Sequence, residues 1–223
     1  MLAPISNNYP DKTFKSFGFK PKKDHFFSIP QYKPLNNTEK LSIGIGTLIG
    51  TAVPLMQFCK KQKLPITKLK YSEKEMILLS TGSITGGVIG GIISDRKVEP
   101  KCKIHEGIFQ FFNAVVPTLL IKPILKTCES FKPLNNNKVK AGAILGGIFG
   151  GMLLGAEISN RINRTNKPNN KRKVKFTDTI ANIDVLSGAL IMANFPLIGK
   201  LGIEKLLPLF YMWTGYESGK IRH

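Results

Sequence analysis

Five stretches of this chain carry no charged side chain: Leu41–Cys59 and Met76–Ser94 at 19 residues each, Ala141–Ala156 at 16, and Gly107–Ile121 and Val185–Gly199 at 15 each. Short segments dense in lysine, arginine and carboxylates separate them. A helix that crosses a bilayer needs roughly 17–25 apolar residues, since each residue rises about 1.5 Å through about 30 Å of hydrocarbon. The two longest runs meet that length outright. The three shorter ones reach it with help from flanking side chains such as Lys122 and Lys200, whose stems extend to the interface. A sixth apolar segment, Leu201–Tyr216, is interrupted by Glu204, Lys205 and Pro208. The pattern predicts an all-α fold, a polytopic transmembrane bundle of about five or six helices.

Helix starts are marked by Ser72-Glu73-Lys74-Glu75, a capping-box spacing, and by Thr177-Asp178 ahead of the fifth run. Residues 1–40 have no helical or strand periodicity and mix lysines with scattered aromatics such as Phe14, Phe26 and Tyr32; they are expected to form a flexible basic tail. The expected organisation is that tail, a transmembrane domain over residues 41–216, and a short C-terminal tail over 217–223. The tail has no apolar core of the signal-peptide kind and no arginine, which argues against a cleaved leader or a mitochondrial transit segment.

The glycines are the most informative feature. Inside a helix in water glycine costs about 1 kcal/mol against alanine, yet here it is concentrated in the apolar runs. Gly82, Gly86 and Gly90 form one row at four-residue spacing, with Gly87 and Gly91 beside it; Gly147, Gly151 and Gly155 form another, beside Gly142, Gly146 and Gly150; Gly46 and Gly50 form a pair. In lipid, helices associate by close van der Waals contact, and a groove of small residues lets two backbones approach. The rows predict helix-packing faces of the glycine-zipper kind, within the chain or in a homo-oligomer. An offset of 60 superimposes Gly82, Gly86, Gly87, Gly90 and Gly91 on Gly142, Gly146, Gly147, Gly150 and Gly151, which suggests an internal two-helix repeat of parallel orientation. A competing offset of 99 pairs Lys33–Asn37 with Lys132–Asn136 and would imply inverted three-helix repeats; it rests on one short polar tract and carries less weight.

Charge sets the orientation. Lysine and arginine total 33 against 14 acidic residues, a formal +19. With five spans, residues 1–40 and the loops 96–103 and 161–175 share one side with 7, 4 and 7 cations, whereas 60–74 and 122–140 carry 6 and 5 on the other. The positive-inside rule then places the N-terminus in the cytoplasm of an integral membrane protein, which in a bacterial cell means the inner or plasma membrane. The expected partners are the lipid bilayer, with anionic lipids at the basic loops, and further copies of the chain.

Little in the sequence supports catalysis. Cys59, Cys102 and Cys128 imply no disulfide framework, Cys102 and His105 lack the further ligands that zinc requires, and no nucleophile motif accompanies the three histidines. Gly44–Gly50 lacks the spacing of a phosphate loop. No enzyme activity, metal or cofactor is expected. Glu157 and Asp184 are the carboxylates nearest the apolar runs, and both are expected at interfacial depth, where Asp184 also profits from a helix N-terminus. Asn113 precedes Pro117 and Asn194 precedes Pro196, and proline frees a backbone carbonyl inside a spanning helix.

The leading functional expectation is a non-enzymatic integral membrane protein, a helix-packing scaffold with a channel-like or membrane-remodelling role. An alternative is a small secondary transporter with a site built from Asn113, Pro117, Glu157, Asp184, Asn194 and Pro196 between repeated helix pairs. A third, a soluble basic protein that binds nucleic acid through Lys171-Arg172-Lys173 and the tail, is disfavoured by the glycine-rich apolar runs.

Overall fold

A computed structural model describes residues 35–94, 99–164, 171–174, 178, 182–193 and 202–220. Among these residues the protein is all-helical, 86 % helix with no strand. The described residues form six helices in order: α1 (Asn37–Gln62), α2 (Glu73–Ser94), α3 (Pro100–Ser130), α4 (Asn137–Ile162), α5 (Ile183–Met192) and α6 (Ile203–Lys220), with single 3-10 turns at Ile66–Lys68 and Lys132–Leu134. The basic tail, apart from its last residues, lies outside the described residues, as do Asn194 and Pro196.

Local chemistry explains the helix starts. Asn36 caps α1 reciprocally: its Oδ1 accepts from the Asn37 N–H at 2.7 Å, and its own N–H donates to Glu39 Oε2 at 2.7 Å. The same device opens α2, where the Ser72 N–H donates to Glu75 Oε2 at 2.9 Å and the Ser72 hydroxyl meets the same oxygen. Pro100 occupies the first turn of α3, where its missing N–H costs nothing. At the other end of α1, Lys63 turns left-handed at φ 53° and stops the helix.

Helices α1 to α4 are long and apolar enough to cross a membrane. Of the five or six expected spans, these four have that length and composition among the described residues. The third run is short only when charge is taken as its boundary: α3 continues through the polar residues on both sides to 31 residues. The fifth run is covered only in part: α5 ends after ten residues at Met192, and the run from residue 194 on lies outside the described residues. Beyond the expected edge at Tyr216, α6 continues through Lys220, with Glu204 in its first turn and Pro208 inside it.

The helices pack as two antiparallel hairpins, α1 on α2 and α3 on α4, joined by α2 against α3. Helix α6 runs parallel to α2, covers it and touches α1, and α5 is wedged between α6 and α3. One apolar cluster holds Phe58, Leu69, Met76, Leu79, Leu207 and Tyr211 at the end where α2 begins. A second, around Ile84, Ala114, Ile121, Ile148, Met152 and Val185, fills the space between the hairpins. The outer surface is apolar too: Leu41, Ile49 and Met56 of α1 and Phe149, Leu153 and Leu154 of α4 are each about half exposed or more. A soluble protein seldom leaves such continuous apolar faces bare, whereas lipid covers them at no cost.

Candidate functional site

Three arrangements in the bundle depend on specific side chains or on their absence. The first is helix contact at glycine. A Cβ added to Gly86 would overlap the carbonyl oxygen of Gly46, and one added to Gly82 would overlap that of Gly50. At Gly90 it would lie 2.5 Å from the Ser42 carbonyl oxygen, whose residue also donates its hydroxyl to the Gly90 carbonyl at 2.9 Å. The neighbouring face of α2 meets α6 in the same way: Gly87 abuts the Gly215 carbonyl and Gly91 lies against Gly219, where a Cβ would be 2.5 Å from the carbonyl oxygen. On α4, Gly151 rests on Pro117, with a Cβ placed 2.6 Å from its Cα, Gly155 abuts the Phe112 carbonyl, and Gly147 meets the end of Ile124. Gly142, Gly146 and Gly150 have nothing within 4 Å of such a Cβ.

The second is a groove of about 800 Å³ on the outer side of the α1–α2 pair. Its floor is Gly46, Gly50, Gly82, Gly86 and Gly90; its walls include Leu41, Ile45, Ile49, Leu78, Ile89 and Ile93, and no charged residue lines it. Close glycine contact creates it: the backbones approach while the branched side chains on either side stand proud of the seam.

The third is polar and internal. Arg172, past the end of α4, points its guanidinium at two carboxylates, with Nη2 3.0 Å from Glu106 Oε1 and 2.8 Å from Asp178 Oδ1. It also lies 4.3 Å over the Phe109 ring. Gln110 Nε2 donates to Glu106 Oε1 at 3.0 Å, and Asn160 of α4 clamps the Arg172 backbone, accepting its N–H at 2.9 Å and donating to its carbonyl at 3.0 Å. One turn away on α3, Lys103 is buried and donates to the Gly219 carbonyl at 3.4 Å, a cation at the C-terminal end of α6. These contacts tie the segment after α4, and the end of α6, to the start of α3. Arg172 is thus half-buried in an ion cluster with two buried carboxylates. Partners that are 66 positions apart, as Glu106 and Arg172 are, leave no trace in local spacing.

The residues expected to form a transport site are dispersed. Glu157 is on the surface, its carboxylate 3.2 Å from Arg161 Nε and 3.4 Å from Lys171 Nζ. Pro117 is buried as the surface on which Gly151 rests. Asn113 is fully buried on α3 beside Gly155, and neither its Oδ1 nor its Nδ2 has a hydrogen-bond partner. Asp184 is also fully buried and both its carboxyl oxygens are without one. It faces Thr214 of α6, and Gly215, the next residue, packs against Ser83, halfway along α2.

No protein family, curated protein or solved structure matches this chain.

Proposed function

We propose that this chain is a non-enzymatic integral membrane scaffold: a bundle of four spanning helices with α5 and α6 packed into it, held by glycine-to-backbone contact of the zipper kind, with the N-terminus on the cytoplasmic side and the basic loops against anionic headgroups. The observation that carries this reading is the double use of α2. Its row at Gly82, Gly86 and Gly90 meets α1, and its row at Gly87 and Gly91 meets α6, so one helix joins two neighbours at backbone distance. The charge-free groove beside the α1–α2 seam opens on the lipid-facing side and accommodates acyl chains, which gives the scaffold a local effect on bilayer packing. A second reading, a small secondary transporter, draws on the burial of Asn113 and Asp184 without partners.

Extraction and flux test the two. Under the scaffold reading the full-length protein stays in the membrane pellet after alkaline carbonate washing, and sealed vesicles containing it support no solute uptake driven by a proton or sodium gradient. Release into the wash supernatant as folded protein defeats the membrane assignment; gradient-driven uptake abolished by Asp184→Asn replaces the scaffold with the transporter.

A further inference from the structure

Asp184 is the one charged side chain in the described residues that is fully buried with both oxygens lacking a hydrogen-bond partner. Every other buried carboxylate among them is met: Glu75 by Ser72 and Lys61, and Glu106 and Asp178 by Arg172. The groups facing Asp184 explain the difference. From α6 come Thr214 and Tyr211; the Tyr211 hydroxyl lies 3.8 Å from a Cβ built on Gly188, one turn along α5. Tyr71, ahead of α2, joins Tyr211 in the same cluster. On α3, Glu106 is held by Arg172 and Lys103 donates to the Gly219 carbonyl; on α4, Glu157 is on the surface with Arg161 and Lys171; on α2, Glu75 is held by Ser72 and Lys61. None of these cations acts on Asp184.

The Thr214 hydroxyl donates its own proton to the Phe210 carbonyl at 3.2 Å. Burial away from water, with no cation at hand, is the larger influence on Asp184 and favours the acid, while Thr214 and the backbone N–H groups of Val185 and Asp184 favour the ionised carboxylate. A metal ion is a poor occupant, because one carboxyl and one hydroxyl fall well short of the oxygen donors a hard cation gathers.

We propose that Asp184 is a buried proton-binding site, its carboxyl carried inside the bundle as the acid at a place with no cation to pair with it. One proton is taken from solvent as the bundle closes, and no other bond changes. The site goes beyond the scaffold reading and stands whether or not any solute is moved. Burial pushes the carboxyl up to about 7, while unfolding returns it to the ordinary carboxylate range. The folded state therefore holds the proton to higher pH than the unfolded one, so the stability due to the site is complete in acid and drains away as pH rises through that value.

The test is thermal unfolding of the full chain in detergent between about pH 5 and 8.5, comparing wild type with Asp184→Asn, the neutral isostere of the acid. Wild type is expected to lose about 5–10 °C in Tm over that range, and Asp184→Asn to show a flat profile and to melt no lower than wild type at the alkaline end. Infrared spectra near neutral pH should show a protonated-carboxyl band in wild type that is missing from the variant. Parallel pH profiles, a shared infrared band or failure of Asp184→Asn to fold would each overturn the assignment. So would a rise in wild-type Tm on adding sodium at the alkaline end that the variant lacks, since the occupant would then be an alkali cation.

Discussion

Helices α2 and α4 share a glycine spacing and differ in its use. Each carries two parallel rows of glycine, and five glycines of one align with five of the other at an offset of 60. In α2 both rows are closed, one by α1 and one by α6; in α4 the row at Gly147, Gly151 and Gly155 is closed by α3, and the row at Gly142, Gly146 and Gly150 faces open space. Of the most apolar window, 56 % is buried in α2 and 33 % in α4, which marks α2 as the central helix and α4 as a peripheral one. Glycine spacing thus identifies a face on which close packing is feasible, and the partner decides whether it happens. The aligned rows do not have matching environments: the counterpart of the α1-binding row is the bare row of α4.

Leucine substitutions break this comparison most directly. Gly86→Leu is expected to abolish the cooperative thermal transition in detergent, because its Cβ alone overlaps the Gly46 carbonyl and backbone cannot yield as a flexible side chain can. Gly151→Leu should separate α3 from α4 with a comparable loss, read by the same melt and by weakened cross-linking between cysteines placed on the facing ends of the two helices. Survival of both variants with wild-type Tm would refute contact at these rows.

The α3–α4 hairpin is secured by charge as well, and Arg172→Met tests that. It leaves Glu106 and Asp178 without their cation, and removal of one partner from a buried ion cluster costs about 3–5 kcal/mol. Combining it with Glu106→Gln and Asp178→Asn should recover part of the loss, as measured by chemical or thermal unfolding. No recovery in the triple variant would mean that packing of the arginine stem and its ring contact outweigh the charge.

Asn113→Leu is expected to raise stability by about 1–2 kcal/mol, since two buried amide atoms without partners are replaced by an apolar group of similar size. A fall in Tm would show that the amide is bonded in the membrane. The smallest effect belongs to the bare row. Gly146→Leu should change stability by no more than about 0.5 kcal/mol, and Gly146→Ala should raise it slightly through helix propensity. A collapse at Gly146 as large as that at Gly86 would erase the distinction between the two helices and point to self-association through α4, visible as a change in size in detergent.

Much of the architecture is legible in local patterns along the chain. Charge-free runs bounded by lysine clusters predict apolar helices because hydrocarbon tolerates no exposed backbone and few charges. Capping at Ser72 with Glu75 is a local pattern with a local physical cause and is found where that pattern puts it, and the four-residue glycine spacing is local in the same sense. The failures share a different origin. The fifth run reads as one uninterrupted segment, whereas α5 ends at Met192; the sixth reads as broken, yet Glu204, Lys205 and Pro208 are accommodated in the first turns of α6. Gly215 and Gly219 pass unnoticed as a pair, although the four-residue spacing is there, because the polar residues around them look like a tail.

The material of the bundle, all-helical, apolar, glycine-faced and basic between the helices, follows from the order of residues alone, because helix periodicity, lipid solubility and small-residue spacing are properties of neighbours along the chain. Which glycine row has a partner, that Arg172 bridges α3 to the segment after α4, and that Asp184 is buried opposite Thr214 are settled by the packing of the helices. Each of these depends on which surface of one helix meets another many residues away. That choice is made by the total fit of all the faces at once, so no single segment contains it.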